Sequence, residues 1–585
     1  MSFYPPSWLS KFEDPPDTVT IHDFMLDEIW GRHPLGYARN PFTCGLSGKT
    51  YSMLEVKERT DYLARGLAKE LGWSPNNGNE WDKVIGVFSL NSLDTIPLAW
   101  ATHRLGGIQT PANAVYGIME LVHQLKDSGA KCLFTCVPLL KTSLEAAAQV
   151  GIPKNRIYLL QLPKEAIGGQ SAPSEYKSVD DLIKEGSKQP RLEPLKLQKG
   201  DGAKRTAFLC YSSGTSGLPK GVMISHHNVI ANTLQIKAYE TKYRESKRQP
   251  GTFSEYSETV LGLLPMSHIY GLVVICHSSI YRGDQVIVLP RFEFNPFCAA
   301  IQNYKINTLF LVPPIIINMV NNKKSLDQYD LSSVESIFTG AAPLGKEVAE
   351  DLSKMYPKWI IRQGYGLTET CTVVCSSAPH DIFLGSCGSL LPGYEARIVT
   401  IEGTEITGYD QPGELIVKSP SIVLGYLNNE KANKETFQDG FMRTGDEALI
   451  RKNPETGYEH IFIVDRIKEL IKVKGMQVAP AELEAHLLTH PLVADCAVIS
   501  VPDDAAGEAP KAFVVKSSEV GLEDSESGLR RSITKHVEKH KARHKWLKGG
   551  VEFIDAVPKS PSGKILRRML RDKDREARRQ KGARL

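Results

Sequence analysis

The stretch 211-YSSGTSGLPKG-221 gathers the residue types that hold an anion. Ser212, Ser213, Thr215 and Ser216 offer hydroxyls, while Gly214, Gly217 and Gly221 let backbone amides turn toward a ligand. Such a nest suits a polyphosphate. The other use for this composition is a flexible surface hairpin. The segment carries Lys220 but is not a Walker loop, which needs G-x-x-x-x-G-K-[ST]. Counted from Gly214, the second glycine position holds Pro219, and Gly217 stands too close to Lys220. A second lysine, Lys564, lies in the glycine-containing loop 560-SPSGK-564, within a basic stretch that could equally be a solvated tail. His268 lies in the apolar run 265-PMSHIYG-271, where a lone histidine is ordinarily core.

Periodicity indicates the elements that must position these residues. The apolar run 207-AFLC-210 precedes the loop, and the amphipathic run 229-VIANTLQIKAYE-240 follows it. The segments 84-VIGVFS-89, 92-SLDTIPLAWATHRLGG-107 and 132-CLFTC-136 alternate strand and helix patterns, as do 286-VIVLP-290, 295-NPFCAAIQNYKI-306, 308-TLFLVPP-314 and 315-IIINMVNNK-323. Apolar strands separated by helices predict βαβ units and largely parallel sheets, with ligands at the carboxyl ends of the strands. Further on, 394-YEARIVT-400 and 413-GELIVKS-419 read as short strands of a β-rich subdomain. The charged stretch 464-VDRIKELIKVKGMQVAP-480 is a candidate junction. Beyond it, 481-AELEAHLLTHP-491, 496-CAVISVP-502 and 512-AFVVKS-517 predict a compact α+β unit.

At 585 residues the chain exceeds what one core holds. Its 41% hydrophobic and 24% charged residues fit a soluble globular protein, and a net charge of +4 gives no reason to expect nucleic acid. Ten cysteines include no CxxC pair; Cys132 and Cys136, like Cys371 and Cys375, lack further ligands at metal spacing. Buried free thiols in a reducing compartment are expected. The N-terminus has no apolar h-region of a secretory signal. The longest apolar run, 260–277, is interrupted by Pro265 and His268 and is too short for a membrane span.

Four more stretches, 363-QGYGLTET-370, 443-RTGD-446, 464-VDRIKELIKVKGMQVAPAELE-484 and 558-PKSPSGKILRR-568, follow 211-YSSGTSGLPKG-221 in order. Together they resemble the signature set of the adenylate-forming superfamily: acyl- and aryl-CoA synthetases, peptide-synthetase adenylation domains and beetle luciferases. The stretches 265-PMSHIYGL-272, 340-GAAPLGKE-347 and 475-GMQVAPAELE-484 are most similar to the coumarate–CoA ligase branch. The resemblance implies an α/β fold: a large N-terminal domain of αβ sheets plus a β-rich subdomain over 1–464, and a small mobile α+β C-terminal lid over 465–585. It also implies the reaction. A carboxylate attacks the α-phosphate of ATP, pyrophosphate leaves, and the acyl-AMP is attacked by the thiol of coenzyme A.

On that resemblance the 212–217 hydroxyls and amides, with Lys220, hold the β- and γ-phosphates. Thr368 and Glu369 serve the α-phosphate and Mg²⁺, a hard cation that wants oxygen ligands; their other reading is a helix cap. Gln363, Gly364 and Tyr365 line the adenine, and Asp446 and Arg466 bind the ribose hydroxyls. Lys564 stabilises charge between the attacking carboxylate and the α-phosphate. His268 sits beside the acyl carboxylate. Tyr270, Phe338, Gly340, Ala341, Ala342, Gly364, Gly366, Thr372 and Val373 surround the acyl tail. Lys468 is the hinge about which the lid swings, bringing Lys472, Lys474, Gly475 and Gln477 to the site for the thioester step.

Two departures set this chain apart. Hydroxycinnamate ligases tend to have lysine where Phe338 stands, and glycine–proline where Cys371 and Thr372 stand. The expected acid is therefore as readily a medium-chain fatty, phenylalkanoic or specialised metabolite acid. The final residues, Ala583-Arg584-Leu585, resemble the small–basic–leucine address read by the peroxisomal import receptor. Three alternatives share parts of the signature: a free-standing enzyme loading a carrier protein, a luciferase-like oxidative enzyme, and a non-catalytic binding protein.

Overall fold

A computed structural model describes residues 2–212, 219–248, 256–400, 402–503, 505–517, 525–560 and 563–582. Ser213, Gly214, Thr215, Ser216 and Gly217 lie outside the described residues, as do Ala583, Arg584 and Leu585.

The chain is α/β. One sheet takes the strands Ile157–Leu159, Cys132–Thr135, Val84–Phe88, Ile108–Ala112 and Thr206–Ser212 in spatial order, all parallel, and ends on Lys220–Ser225 and Gly425–Tyr426, which run antiparallel. A second sheet has a parallel centre of Gln285–Val288, Thr259–Gly262, Thr308–Leu311, Ser336–Thr339 and Ile360–Leu367. Helices cover these strands, so Val84–Phe88, Cys132–Thr135 and Thr308–Leu311 are buried at every residue. That is why they read as unbroken apolar runs rather than alternating ones.

The loop quoted first connects a hairpin: Thr206–Ser212 pairs with Lys220–Ser225, with Ser212 opposite Lys220. The second strand went unread because glycine, lysine and serine dilute its apolar residues. It ends where Ser225 and Asn228 cap one another, Oγ accepting from Asn228 N–H and Oδ1 from Ser225 N–H, and the helix His226–Ser246 begins.

The β-rich subdomain is antiparallel, built on Glu395–Val399, Gly413–Lys418, Phe441–Lys452 and Glu459–Arg466. Its last strand runs to Arg466, two residues beyond the expected 464/465 boundary, because Arg466 still pairs with Asp446. The lid follows. Its sheet holds Met476–Val478, Ile471–Val473, Gly507–Lys516, Val493–Asp503 and Gly550–Phe553, with helices Pro480–Leu487, Glu526–His540 and Arg567–Gly582. The apolar run 260–277 becomes the strand Thr259–Gly262 and a fully buried π-helix, Tyr270–Ser278. Among the described residues no helix is long and apolar enough to cross a membrane. All ten cysteines are buried and unbridged.

Candidate active site

A cavity of about 750 Å³ lies where the three sheets meet the lid. Its wall takes Ser212 and Lys220 from the hairpin, His268 and Tyr270 from the start of the π-helix, and Phe338, Gly340 and Ala341 from one parallel strand and its following turn. Gly364, Tyr365 and Gly366 come from the next strand and Thr368 and Glu369 from the turn after it, then Thr372 and Val373, Asp446 and Arg466 from paired strands, and Lys468 and Lys564 from the junction and the lid.

Glu369 sits in one 3₁₀ turn, Thr368–Thr370. The turn is capped by Thr370, whose Oγ1 accepts from Leu367 N–H at 2.9 Å, so Thr368 is not the cap and lines the cavity instead. Glu369 Oε1 accepts from Ser212 Oγ at 3.1 Å and from Tyr426 OH at 2.9 Å. The chain leaves this turn through two left-handed residues, Cys371 at φ 52° and Thr372 at φ 112°. Positive φ is unusual for any residue with a Cβ and more so for a β-branched one. Gly366 is required by the same turn, since a Cβ there would lie 1.4 Å from Thr372 O.

Asp446 accepts from Tyr365 OH at 2.6 Å and lies 3.7 Å from Arg466 Nε. Burial pushes its carboxyl up, against the pull of Arg466, Tyr365 and Lys564. The His268 imidazole is pushed down to about 4 by desolvation and by the Lys564 ammonium. Its Nδ1 accepts from Tyr270 N–H at 3.3 Å, so the neutral ring carries its hydrogen on Nε2. Burial, then the neighbouring Arg466, lowers Lys564 to about 8, against the attraction of Glu369 and Asp446. Its loop is closed by Ser560 N–H to Lys564 O at 2.8 Å and by Lys564 N–H to Ser560 Oγ at 3.1 Å. Gly563, at φ 81°, packs its Cα side on Pro314 and Val312 of the large domain.

Not every expected residue reaches the cavity. Gln363, expected at the adenine, lies outside the cavity wall: it is buried, and its Oε1 accepts from Leu344 N–H at 3.2 Å. Gln363 and Gly364 present opposite faces of the strand, and Gly364 lies in the cavity wall. Ala342 is also outside the wall; Ala341, at φ 70°, turns the chain away before it. Lys472, Lys474, Gly475 and Gln477 are exposed on the hairpin Ile471–Val478, away from the cavity that Lys564 occupies. Sequence reasoning missed Tyr426, which braces Glu369 and lies with its ring centroid 4.7 Å from Lys220 Nζ. It also missed Glu414, which accepts from Gly445 N–H at 3.1 Å and pairs with Arg443. Neither stands in a glycine-rich or basic motif, so no local signal marks them. Among the described residues, no three His, Cys, Asp or Glu side chains converge as a metal cage.

The wall narrows at Val274, Phe338 and Val373, which divide the cavity from a small void of about 10 Å³. Behind them Glu240 lies between Arg282 and Arg362, and Arg362 lies over the Phe338 ring, 5.4 Å from its centroid. Gly364 makes room for that ring, since a Cβ there would meet Phe338 Cζ at 2.5 Å.

Residues 35–427 match the AMP-binding enzyme family, and residues 482–564 match the AMP-binding enzyme C-terminal domain. The chain is 40% identical over 573 residues to the acyl-CoA ligase EasD of Emericella nidulans, covering 98% of this chain and all of that one. It is 41% identical over 590 residues to the acyl-CoA ligase Cm3C of Cordyceps militaris, covering 98% and 90%. The fold is also that of the anthranilate CoA ligase AuaEII in complex with anthranoyl-AMP (TM-score 0.78, 23% identity, 96% of this chain and 98% of that one). ATP-bound MatB from Rhodopseudomonas palustris is similar as well (0.75, 23%, 95% and 99%).

Proposed function

The chain belongs to the AMP-binding enzyme family, as an acid–thiol ligase, and from that premise we propose how its own residues divide the work and what acid they accept. The observation that carries the reading is the convergence of Lys564, Glu369, Asp446 and His268 on one cavity, from two domains and four segments of chain. A carboxylate and a triphosphate repel, so cations and donors must hold both in line. Asp446, with Arg466, orients the ribose. His268 Nε2–H meets the acid, and Lys564 neutralises charge as the carboxylate oxygen bonds to the α-phosphorus and the bond to pyrophosphate breaks. Mg²⁺ carried in on the triphosphate would add charge neutralisation there; one carboxylate plus substrate oxygens is the kind of site it takes, and Glu369 is that carboxylate. The lid then turns about Lys468 and presents Lys472, Lys474 and Gln477. The thiol of coenzyme A gives its proton to solvent, its sulfur bonds to the acyl carbon, and the bond from that carbon to the phosphate oxygen breaks as AMP leaves.

The acid is an apolar one of limited length, medium-chain fatty or phenylalkanoic, whose tail stops at Phe338. The apolar partition and the ion pairs behind it support this, because a longer tail would have to meet desolvated charge. Ala583-Arg584-Leu585 addresses the enzyme to the peroxisome; a tagged chain that stays cytosolic with this end intact would refute that part. The test of the whole is a panel of carboxylic acids with ATP and coenzyme A, reading AMP, pyrophosphate and acyl-CoA. AMP without acyl-CoA would favour a carrier-protein or luciferase-like role.

A further inference from the structure

We infer that one face of the helix Ile118–Ser128 is a clamp on the hairpin that serves the phosphates of ATP, and that His123 is the positioning residue holding its returning strand. The inference rests on the assignment of that hairpin to the phosphates.

The helix is a firm support. Glu120 accepts from Gly117 N–H at its start, Gly129 closes its end at φ 66°, and Leu121 and Leu125 are buried beneath it. His123 and Asp127, four residues apart, share one flank. His123 Nε2 donates to Pro219 O at 2.9 Å. The pyrrolidine ring already fixes φ of Pro219, and holding its carbonyl fixes ψ. Both soft dihedrals of the residue entering Lys220 are therefore set from outside the strand. On the outgoing strand, Tyr211 OH donates to Asp127 Oδ2 at 2.7 Å, and its ring stands edge-on to His123 with centroids 5.9 Å apart. That ring also covers Gly221, where a Cβ would meet Tyr211 Cζ at 3.0 Å. Asp127 Oδ1 accepts in turn from Asn428 Nδ2 at 3.4 Å, beside the strand that carries Tyr426. Three segments converging on Glu369 are thus tied to one helix flank. His123 itself is only half-buried and touches none of the reacting groups.

The test is steady-state kinetics on His123→Ala. Losing one hydrogen bond to a positioned carbonyl should raise KM for ATP, and the concentration of pyrophosphate that half-inhibits, by about threefold to tenfold. KM for the acid should hold within about twofold, with the melting temperature little changed. His123→Gln, which can still donate to Pro219 O, should recover most of the loss. Should His123→Ala not fold, Tyr211→Phe removes only the hydroxyl bonded to Asp127 and should show the same ATP-specific effect. The clamp is overturned if His123→Ala raises both KM values alike, if glutamine fails to rescue, or if His123→Ala changes neither KM while Ser212→Ala still weakens pyrophosphate. If Ser212→Ala and His123→Ala both leave ATP and pyrophosphate unaffected, the phosphate assignment of the hairpin falls, and the clamp with it.

Discussion

Lys564 combines two conditions that are seldom met together: its half-buried ammonium is largely desolvated, and the carboxylates of Glu369, Asp446 and Glu469 attract it. Burial and Arg466 bring its ammonium down to about 8, while Glu369 and Asp446 resist. Only the charged form can neutralise the carboxylate and the α-phosphate. We therefore predict that kcat/KM for ATP, which reports the free enzyme, falls as pH rises above about 8. The kcat profile should bend at higher pH, because bound triphosphate favours the ammonium. Lys564→Ala should slow acid-dependent pyrophosphate exchange by about a hundredfold or more, yet leave thioester formation from a supplied adenylate close to wild type. Undiminished exchange would remove Lys564 from its assigned role. For Phe338→Ala, the chain-length optimum should shift upward by about two to four methylenes. The milder Phe338→Leu should shift it less, and an unmoved optimum would mean that another residue stops the tail. Much at this scale was legible in motifs, because acid, base and glycine at fixed spacing have few other uses. The placement of Gln363 and Ala342 outside the cavity wall was not legible, because a motif gives order along the chain, not the face of the strand on which a side chain stands.

At the scale of elements, the strand Glu459–Arg466 does two jobs: it closes the β-rich sheet and leads into the junction that carries Lys468. Asp381, His460 and Ser386 form a hydrogen-bonded chain behind it, 2.9 and 2.8 Å, in the arrangement of a nucleophile relay. All three are buried, and Ser386 Oγ donates to Phe383 O at 2.8 Å, so the chain is a structural pin for the strand. Its anchorage ends at Arg466, and the turn that follows holds Lys468. We predict that Lys468→Pro slows thioester formation by about tenfold or more while adenylation changes little, since a fixed φ hinders rotation rather than chemistry. Equal losses in both half-reactions would argue against the hinge. The parallel strands and their helices were readable from continuous apolar runs. The strand Lys220–Ser225 and the π-helix were not. One is held by its partner strand rather than by its own composition, and the other is buried at every residue, so no polar face marks its period.

At the scale of the molecule, three histidines are sealed in the core of the large domain: His103 and His277 are 0% exposed and His226 2%. Burial holds His103 well below the ordinary imidazole range, His226 at about 3 and His277 at about 4. Unfolded, each titrates near 6.5, so below that pH the unfolded chain binds more protons than the folded one. Their contribution to stability is present above about pH 6.5 and is lost as pH falls toward 4, at up to about 4 kcal/mol per pH unit while all three differ. Melting temperature should drop steeply across that window, and His277→Gln should soften the slope. The lid's ion pairs, Lys559–Asp495, Arg567–Glu484 and Arg571–Glu469, join lid residues to one another, so turning the lid breaks none of them. With Lys564 inside the cavity, the hairpin Ile471–Val478 faces solvent, and a rigid lid cannot present both at once. We therefore predict that the enzyme works as a turnstile, with pyrophosphate departing before the thiol is admitted, so that double-reciprocal plots against ATP at several fixed coenzyme A concentrations run parallel rather than cross.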